Sequence, residues 1–200
     1  MERQMPGSTP PIPYMKPDQF MAWEPGDDRF YELLDGQATV RPFNSSAHGI
    51  IAVNLCTAFQ GVRHLVEMRG VMEARGPLPI PGRDSVRFPD LMIRTGIVNK
   101  GDAGSPAVAI EVLSAEDGAD AMAARRQDYA LCGVEQVIEV SQERACVWIY
   151  RVDGPDQWRA RVVAGLDAQF ILEGFGLTVR LADIYENVLD GNIMDAPADA

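Results

Sequence analysis

The segment Val108–Leu113 constrains the fold more than any other feature of this sequence. Five of its six residues are apolar, in the order Val-Ala-Ile-Glu-Val-Leu. A strand of this composition is typical of the centre of a sheet, where both faces are buried. The exception is Glu111, a carboxylate in the middle of the apolar segment. The segment therefore predicts a central strand together with a buried charge that needs a partner.

The patterns on either side of this segment predict a mixed α/β domain. The longest is a helix, in which apolar residues recur at helical spacing behind good N-cap residues at Asn44, Ser45 and Ser46. The core elements are expected at Ser45–Met68 (helix), Val71–Leu78, Val86–Arg94 and Ala107–Leu113 (strands), Ala119–Leu131 (helix) and Val134–Val140 (strand). This order predicts a mixed sheet with a crossover helix between central strands.

Shorter elements are predicted at both ends of this core. A short helix within Lys16–Trp23 and a hairpin closed by the turn Asp35-Gly36 precede it. Three further strands follow it, and we expect these added antiparallel strands to complete the same sheet: Ala145–Tyr150, Gln157–Val163 and Leu177–Leu181.

The length of 200 residues fits one domain. We predict a flexible N-terminal arm over residues 1–15, a single domain over residues 16–190 and a flexible tail over residues 191–200. No apolar stretch is long enough for a membrane helix, and the N-terminus has no signal-peptide pattern, so we expect no membrane partner. The three cysteines show no zinc-site spacing, which favours free thiols in the reducing cytoplasm.

Composition and motifs exclude several other functions. The formal net charge of −11 argues against a protein that binds nucleic acid over its whole surface. The sequence contains no nucleophile elbow of the Gly-x-Ser-x-Gly type, no Walker loop and no dinucleotide-binding glycine motif. Hydrolase triads and nucleotide-binding folds are therefore disfavoured.

Two acids in apolar surroundings are the candidates for chemistry. Glu111 interrupts one predicted strand, and Asp90 interrupts Phe88–Ile93 in the same way. Two acids on neighbouring strands repel each other, and a cation between them relieves that repulsion. Carboxylate oxygens suit Mg²⁺ or Mn²⁺, whereas the alternative is that each acid pairs with one of the many arginines. The pattern alone leaves both interpretations open.

Several motifs, in order, resemble those of the Uma2 family (DUF820), which belongs to the restriction-endonuclease-like PD-(D/E)XK superfamily. The resemblance extends from about Asp18 to Val188. The motifs that carry it are Tyr31–Gly36, His48, Arg87–Leu91, Ile110–Ser114, Tyr129–Glu135 and Leu172–Phe175. It implies a restriction-endonuclease-like αβββαβ core with added antiparallel strands.

The resemblance also implies a metal site. Asp90 corresponds to the aspartate of the Pro-Asp motif and Glu111 to the second acid, so both would bind the metal, with the carbonyl group of Val112 as a third ligand. Glu32 corresponds to an early glutamate that joins the acidic cluster. A metal held there would polarise a phosphodiester and activate a water molecule.

The sequence departs from this family at the lysine position. The residue two places after the second acid is Leu113, and the position four residues before Tyr129 holds Arg125. Arginine can bind a phosphate group, but it does not lose its proton and so cannot act as a base. His48 matches a family histidine, for which a general base, a phosphate contact or a helix cap are the alternatives.

The leading hypothesis is a Mg²⁺- or Mn²⁺-dependent endonuclease that hydrolyses DNA, with Glu32, Asp90, Glu111 and Arg125 in the active site. The alternative is a catalytically inactive relative that binds nucleic acid or a protein partner. A third hypothesis is a regulatory homodimer formed through an exposed strand edge such as Ala145–Tyr150.

Overall fold

The computed structural model describes residues 13–41, 45–60, 70–97, 99, 101, 104–154 and 157–188. Its helices are α1 Pro17–Met21, α2 Ser46–Gln60, α3 Ala119–Leu131 and α4 Leu181–Ile184. Its strands are β1 Phe30–Leu34, β2 Gln37–Arg41, β3 Val71–Ala74, β4 Leu78–Pro79, β5 Val86–Arg87, β6 Leu91–Thr95, β7 Ser105–Leu113, β8 Gln136–Ser141, β9 Cys146–Val152, β10 Trp158–Ala164, β11 Gln169–Leu172 and β12 Leu177–Arg180. The predicted mixed α/β class is confirmed.

The predicted central strand lies inside the largest sheet. Within the described residues this sheet has six strands in the order β10-β9-β8-β7-β6-β3. β7 pairs antiparallel with β6 and parallel with β8, and α3 provides the predicted crossover between β7 and β8. Val108 and Ile110 are fully buried on the face covered by α2, whereas Ala109 packs with Tyr129 of α3 on the opposite face. Since side chains alternate along a strand, Glu111 faces α3.

The apolar stripe of α2 covers the first of these faces. Ile51 and Leu55 are fully buried in the same cluster as Val108 and Ile110. The helix begins where the sequence predicted, since the Ser45 hydroxyl accepts a hydrogen bond from a main-chain N–H of the first turn. The predicted continuation beyond residue 60 lies outside the described residues.

Two of the predicted strands are wrong as single elements. Val71–Leu78 is divided into β3 and β4, and Val86–Arg94 into β5 and β6. Each break contains a proline, Pro77 or Pro89, which has no N–H to donate to a neighbouring strand. β4 and β5 instead join β1 and β2 in a second sheet of order β2-β1-β5-β4. Asp90 therefore lies between β5 and β6, where the chain passes from the second sheet to the large sheet, and not inside a strand.

The N-terminal hairpin forms with the predicted turn at Asp35-Gly36. β1 pairs with β2 so that Glu32 lies opposite Thr39, and the turn residues Asp35 and Gly36 both have positive φ. Such a two-residue turn matches the twist of the strands it joins. Met15, which the sequence analysis placed in a flexible arm, is buried beside this hairpin, and its N–H donates to the carbonyl oxygen of Gly36 at 2.8 Å. Residues 1–12 of the predicted arm and the whole of the predicted tail lie outside the described residues.

The C-terminal strands differ from the prediction in two respects. β9 and β10 extend the large sheet as expected, but the strand at residues 177–180 does not join it. It pairs with β11, which the sequence analysis missed, in a separate two-stranded sheet. β9 pairs with β8 on one side and β10 on the other, so the proposed dimer edge at Ala145–Tyr150 is interior to the sheet. That location for a dimer contact is wrong.

Candidate active site

Asp90 and Glu111 lie side by side because β6 and β7 are paired. Leu91 of β6 is opposite Ile110 of β7 in an antiparallel pair. Asp90, which precedes Leu91, is therefore next to Glu111, which follows Ile110. Asp90 Oδ2 accepts a hydrogen bond from the N–H of Val112 at 3.0 Å. Asp90 is 3% exposed and Glu111 is 1% exposed, so both carboxyl groups need partners inside the protein.

Glu32 approaches the same place from the second sheet. It is 4% exposed and accepts hydrogen bonds from the N–H of Phe88 and from Arg87 Nη1, each at 3.2 Å. The chain passes from the second sheet to the large sheet between β5 and β6. The Glu32 carboxylate on β1 is therefore brought towards Asp90. The three acids singled out by the sequence analysis lie around one position.

Arg41, the last residue of β2, contacts all three acids. Its Nη2 lies 2.7 Å from Glu111 Oε2 and 3.3 Å from Asp90 Oδ1, and its Nη1 lies 3.4 Å from Glu32 Oε1. Nη1 also donates to the carbonyl oxygen of Phe88. Arg41 was not among the predicted site residues, although the hairpin register places it on the same face as Glu32. Thr39 lies opposite Glu32, and a residue two places further along a strand points to the same face.

Arg125 reaches the acids from α3. Its Nη1 donates to Glu111 Oε2 at 3.1 Å, and its Nη2 donates to Glu32 Oε2 at 3.4 Å. The buried Nε of Arg125 has no hydrogen-bond partner among the described residues. The guanidinium therefore points into the same cluster as Asp90 and Glu111, while its role stays a prediction.

His48 and Tyr129 complete the contacts of the two acids. His48 Nε2 lies 3.0 Å from Asp90 Oδ2, and its own main-chain N–H is the one that Ser45 caps. The Tyr129 hydroxyl donates to Glu111 Oε1. His48 thus combines the helix-cap position with a direct contact to a candidate metal ligand.

The cluster continues along a chain of ion pairs. Arg87 Nε donates to Asp128 Oδ2 at 2.8 Å, and Arg83 Nη1 donates to Asp128 Oδ1 at 2.7 Å. Within the described residues the cluster therefore contains four carboxylates and four guanidinium groups: Glu32, Asp90, Glu111 and Asp128, with Arg41, Arg83, Arg87 and Arg125. Its formal charges balance.

Burial and the arginines act in opposite directions on the acids. Burial alone would raise the pKa of Asp90, but the hydrogen bond with His48 and the charge of Arg41 outweigh it and hold this pKa below its ordinary value. Burial raises the pKa of Glu111, against the opposing charges of Arg125 and Arg41. Burial, and after it the charge of Glu111, raise the pKa of Tyr129 well above its ordinary value, so this hydroxyl keeps its proton.

A cavity of about 310 Å³ opens beside the cluster. Both guanidinium groups that contact Glu111 border it, together with hydroxyl, amide and imidazole groups. Three carboxylates border it as well, so the lining is Arg41, Ser45, His48, Val112, Ser114, Ala115, Glu116, Asp117, Arg125, Gln142 and Glu143. The cavity wall therefore carries both signs of charge, with the two guanidinium groups on the side of Glu111.

The donor atoms suit a hard divalent cation, but a guanidinium already lies between them. Asp90 Oδ1 is buried and has no hydrogen-bond partner among the described residues. Carboxylate oxygens such as this one and those of Glu111 are the ligands that Mg²⁺ and Mn²⁺ prefer. In the described part of the chain, however, no three His, Cys, Asp or Glu side chains are arranged to hold a metal ion. A cation shared by the two acids would have to replace Arg41.

No described helix is long and apolar enough to cross a membrane. The three cysteines, all within the described residues, are free thiols as predicted.

Comparison with known proteins identifies the family. No curated protein matches this chain. Among solved structures, the chain is similar to a protein described as "a putative nuclease belonging to DUF820 from Anabaena variabilis ATCC 29413". The TM-score is 0.69 at 15% identity, over 88% of this chain and 99% of that one, which shows a shared fold. The sequence model of Uma2, described as "Putative restriction endonuclease", matches residues 17–182. The resemblance inferred from the motifs is therefore confirmed, and the chain belongs to the Uma2 family.

Proposed function

We propose that this protein is a metal-dependent endonuclease that hydrolyses DNA phosphodiester bonds, with an activity weakened by Arg125 at the lysine position. The family description and the nuclease-like fold support nuclease chemistry. The observation that carries the proposal is the meeting of Glu32, Asp90 and Glu111 around Arg41, whose side chain borders the cavity of about 310 Å³. These acids are buried together in one cluster, and groups of interacting buried ionisable side chains are concentrated at functional sites.

In this proposal Asp90, Glu111 and the carbonyl oxygen of Val112 hold Mg²⁺ or Mn²⁺. A bound metal would polarise the phosphodiester and lower the pKa of a water molecule. Glu32 keeps the surrounding arginines in position, since it pairs with Arg87 and Arg125. The chain's own contribution is thus a rigid set of oxygen donors in a site with limited access to water.

Arg125 binds the substrate phosphate in this proposal. It borders the cavity and remains charged, because Glu111 and Glu32 outweigh the effect of burial and raise its pKa. Its planar fork suits two phosphate oxygens. It cannot accept a proton from water, however, so we expect cleavage to be slow.

The test is the cleavage of a fluorescent DNA duplex by the full chain in Mn²⁺, in Mg²⁺ and in EDTA. We expect slow cleavage with the metals and none in EDTA. Asp90→Asn should remove the activity, because the carboxylate that borders both the cation position and Val112 is lost. Cleavage that persists in EDTA, or that Asp90→Asn leaves unchanged, would contradict the proposal.

The second candidate is a catalytically inactive protein that keeps the fold in order to bind nucleic acid or a protein partner. Two observations favour it: Arg125 occupies the lysine position, and Arg41 lies between the acids. The variant Arg125→Lys separates the two candidates. If it cuts DNA much faster than the parent, the parent is a weakened nuclease. If both proteins are inert while DNA still binds, the inactive candidate stands.

The oligomeric state and the compartment belong to this proposal as well. We propose a cytoplasmic homodimer, for which the free thiols are consistent with a reducing compartment. Since β9 is interior, such a dimer needs another surface. Sedimentation equilibrium of the full chain would test the dimer, and a monomer at all concentrations would rule it out.

A further inference from the structure

A guanidinium nitrogen occupies the position that a cation shared by Asp90 and Glu111 would take. Arg41 Nη2 lies 2.7 Å from Glu111 Oε2 and 3.3 Å from Asp90 Oδ1. The contact with Asp90 satisfies charge but forms no hydrogen bond, and Oδ1 has no other partner among the described residues. Without Arg41, this buried oxygen of Asp90 would be free to bind another cation.

Charge balance makes Arg41 and a divalent metal alternatives. Within the described residues the four carboxylates of the cluster already face four guanidinium groups. A divalent cation added to this set would leave excess positive charge in a buried region, which is strongly unfavourable. Removal of the Arg41 side chain from the cluster relieves half of that excess. Departure of Arg125 would not clear the position between the two acids, because Arg125 contacts Glu111 but not Asp90.

Arg41 also has space into which it can withdraw. It borders the cavity of about 310 Å³ beside the cluster. Arg41 is the last residue of β2. Within the described residues its guanidinium donates to one main-chain atom, the carbonyl oxygen of Phe88. Rotation of the long side chain into the cavity would break these contacts without any change in the hairpin register.

We propose that Arg41 is an internal cation that holds Asp90 and Glu111 together when no metal is bound, and that it must withdraw before a divalent cation binds between them. This inference rests on the metal site of the proposed function. It makes Arg41 a positioning residue that lowers the apparent metal affinity, because only molecules with Arg41 withdrawn can bind the metal.

The test is Mn²⁺ binding to the full chain, measured by isothermal titration calorimetry. We expect Arg41→Gln to bind Mn²⁺ at least about tenfold more tightly than the parent, since the competing internal cation is gone. Arg41→Lys keeps a positive charge and should remain close to the parent. A folded Arg41→Gln that binds Mn²⁺ no better than the parent would overturn the inference.

Arg94→Gln is the matched control. Arg94 is also a buried arginine that bonds one carboxylate, Glu73 Oε2 at 2.9 Å, and one carbonyl oxygen, that of Pro77 at 3.0 Å. It has no contact with Asp90 or Glu111, so its loss should change Mn²⁺ affinity by less than about twofold. An equal gain in both variants would show a general loosening of the protein and would contradict the inference.

A crystal of the parent soaked in Mn²⁺ provides a test that does not depend on the folding of a variant. We expect an anomalous peak between Asp90 and Glu111, with the Arg41 side chain displaced towards the cavity. A peak there with Arg41 still in contact with both acids would overturn the inference.

The double variant Arg41→Gln with Asp90→Asn separates this inference from the proposed function. If the gained Mn²⁺ binding disappears in the double variant while Arg41→Gln cuts no DNA, the inference stands and the nuclease proposal fails. If the parent cuts DNA with Mn²⁺ but Arg41→Gln gains no affinity, the nuclease stands and the inference fails.

Discussion

Glu111 and Glu139 are neighbours of the same type in different surroundings. They lie opposite each other in the parallel pairing of β7 and β8, and both are almost fully buried. Their arginine partners are even consecutive residues of α3, Arg125 for the first and Arg126 for the second. Sequence position, burial and secondary structure therefore do not distinguish the two carboxylates.

The difference lies in what else is close to each acid. Glu139 has one partner in the described structure, Arg126, which also lies over the ring of Tyr150 at 4.1 Å. Glu111 instead meets two arginines and shares one of them with Asp90. A buried acid with one arginine is a structural ion pair. A buried acid beside a second acid that shares its cation is a candidate site, since a different cation can take the shared position.

The largest expected effect is on metal-dependent cleavage. Glu111→Gln keeps the size of the side chain but removes its charge, so cleavage should fall by about 10²-fold or more. Glu139→Gln should stay within about twofold of the parent, because that residue has no part in the proposed metal site. Rates of duplex cleavage in Mn²⁺ measure both. Equal losses in the two variants would remove the distinction between the acids.

A smaller difference is expected in stability without metal. Glu111→Ala leaves Arg41 and Arg125 buried with unmatched charge, which should cost about 3–5 kcal/mol in the free energy of unfolding. Glu139→Ala leaves only Arg126, which keeps its contact with Tyr150, so we expect about 1–3 kcal/mol. Urea denaturation in EDTA measures both values. A larger cost for Glu139→Ala would show that Glu139 carries more of the local structure than Glu111.

The sequence was sufficient to find the acids because an acid among apolar residues is a local signal. Glu111 stands out in Val108–Leu113, and antiparallel pairing of adjacent strands brings Asp90 beside it. Arg41 could have been predicted as well, because the Asp-Gly turn determines which residues of β2 share a face with Glu32.

The ion pairs of Arg83 and Arg87 with Asp128 could not be inferred in the same way. They depend on the division of two predicted strands at prolines, which turns β4 and β5 into the second sheet. Proline patterns predict that a strand is interrupted, but the direction of the chain after the break depends on tertiary packing. The same limit explains why β11 and β12 were not assigned to a separate sheet.

A modest effect is expected at the partner of Glu139. Arg126→Lys keeps the positive charge near Glu139 but loses the planar contact with Tyr150, at a cost of about 0.5–1 kcal/mol. Thermal unfolding of the parent and the variant measures this difference. A cost of several kcal/mol would mean that Arg126 supports more than one simple ion pair, and the contrast with Arg125 would weaken.

The smallest expected effect is a change in the pH dependence of stability at Glu139. Burial raises the pKa of this carboxyl group above its ordinary value of 4.5, against the opposing hydrogen bond from Arg126. The folded protein therefore binds a proton at this position more tightly than the unfolded chain does. The associated stability is fully present below pH 4.5 and is lost as the pH rises through the raised pKa of the folded state.

Glu139→Gln cannot titrate, so its free energy of unfolding should decline less than that of the parent over this range. Urea denaturation at a series of pH values measures the difference, with the exposed Glu135→Gln as the control. Parallel curves for the parent and Glu139→Gln would show that Arg126 compensates the buried charge of Glu139 completely, in contrast to Glu111, whose pKa burial raises.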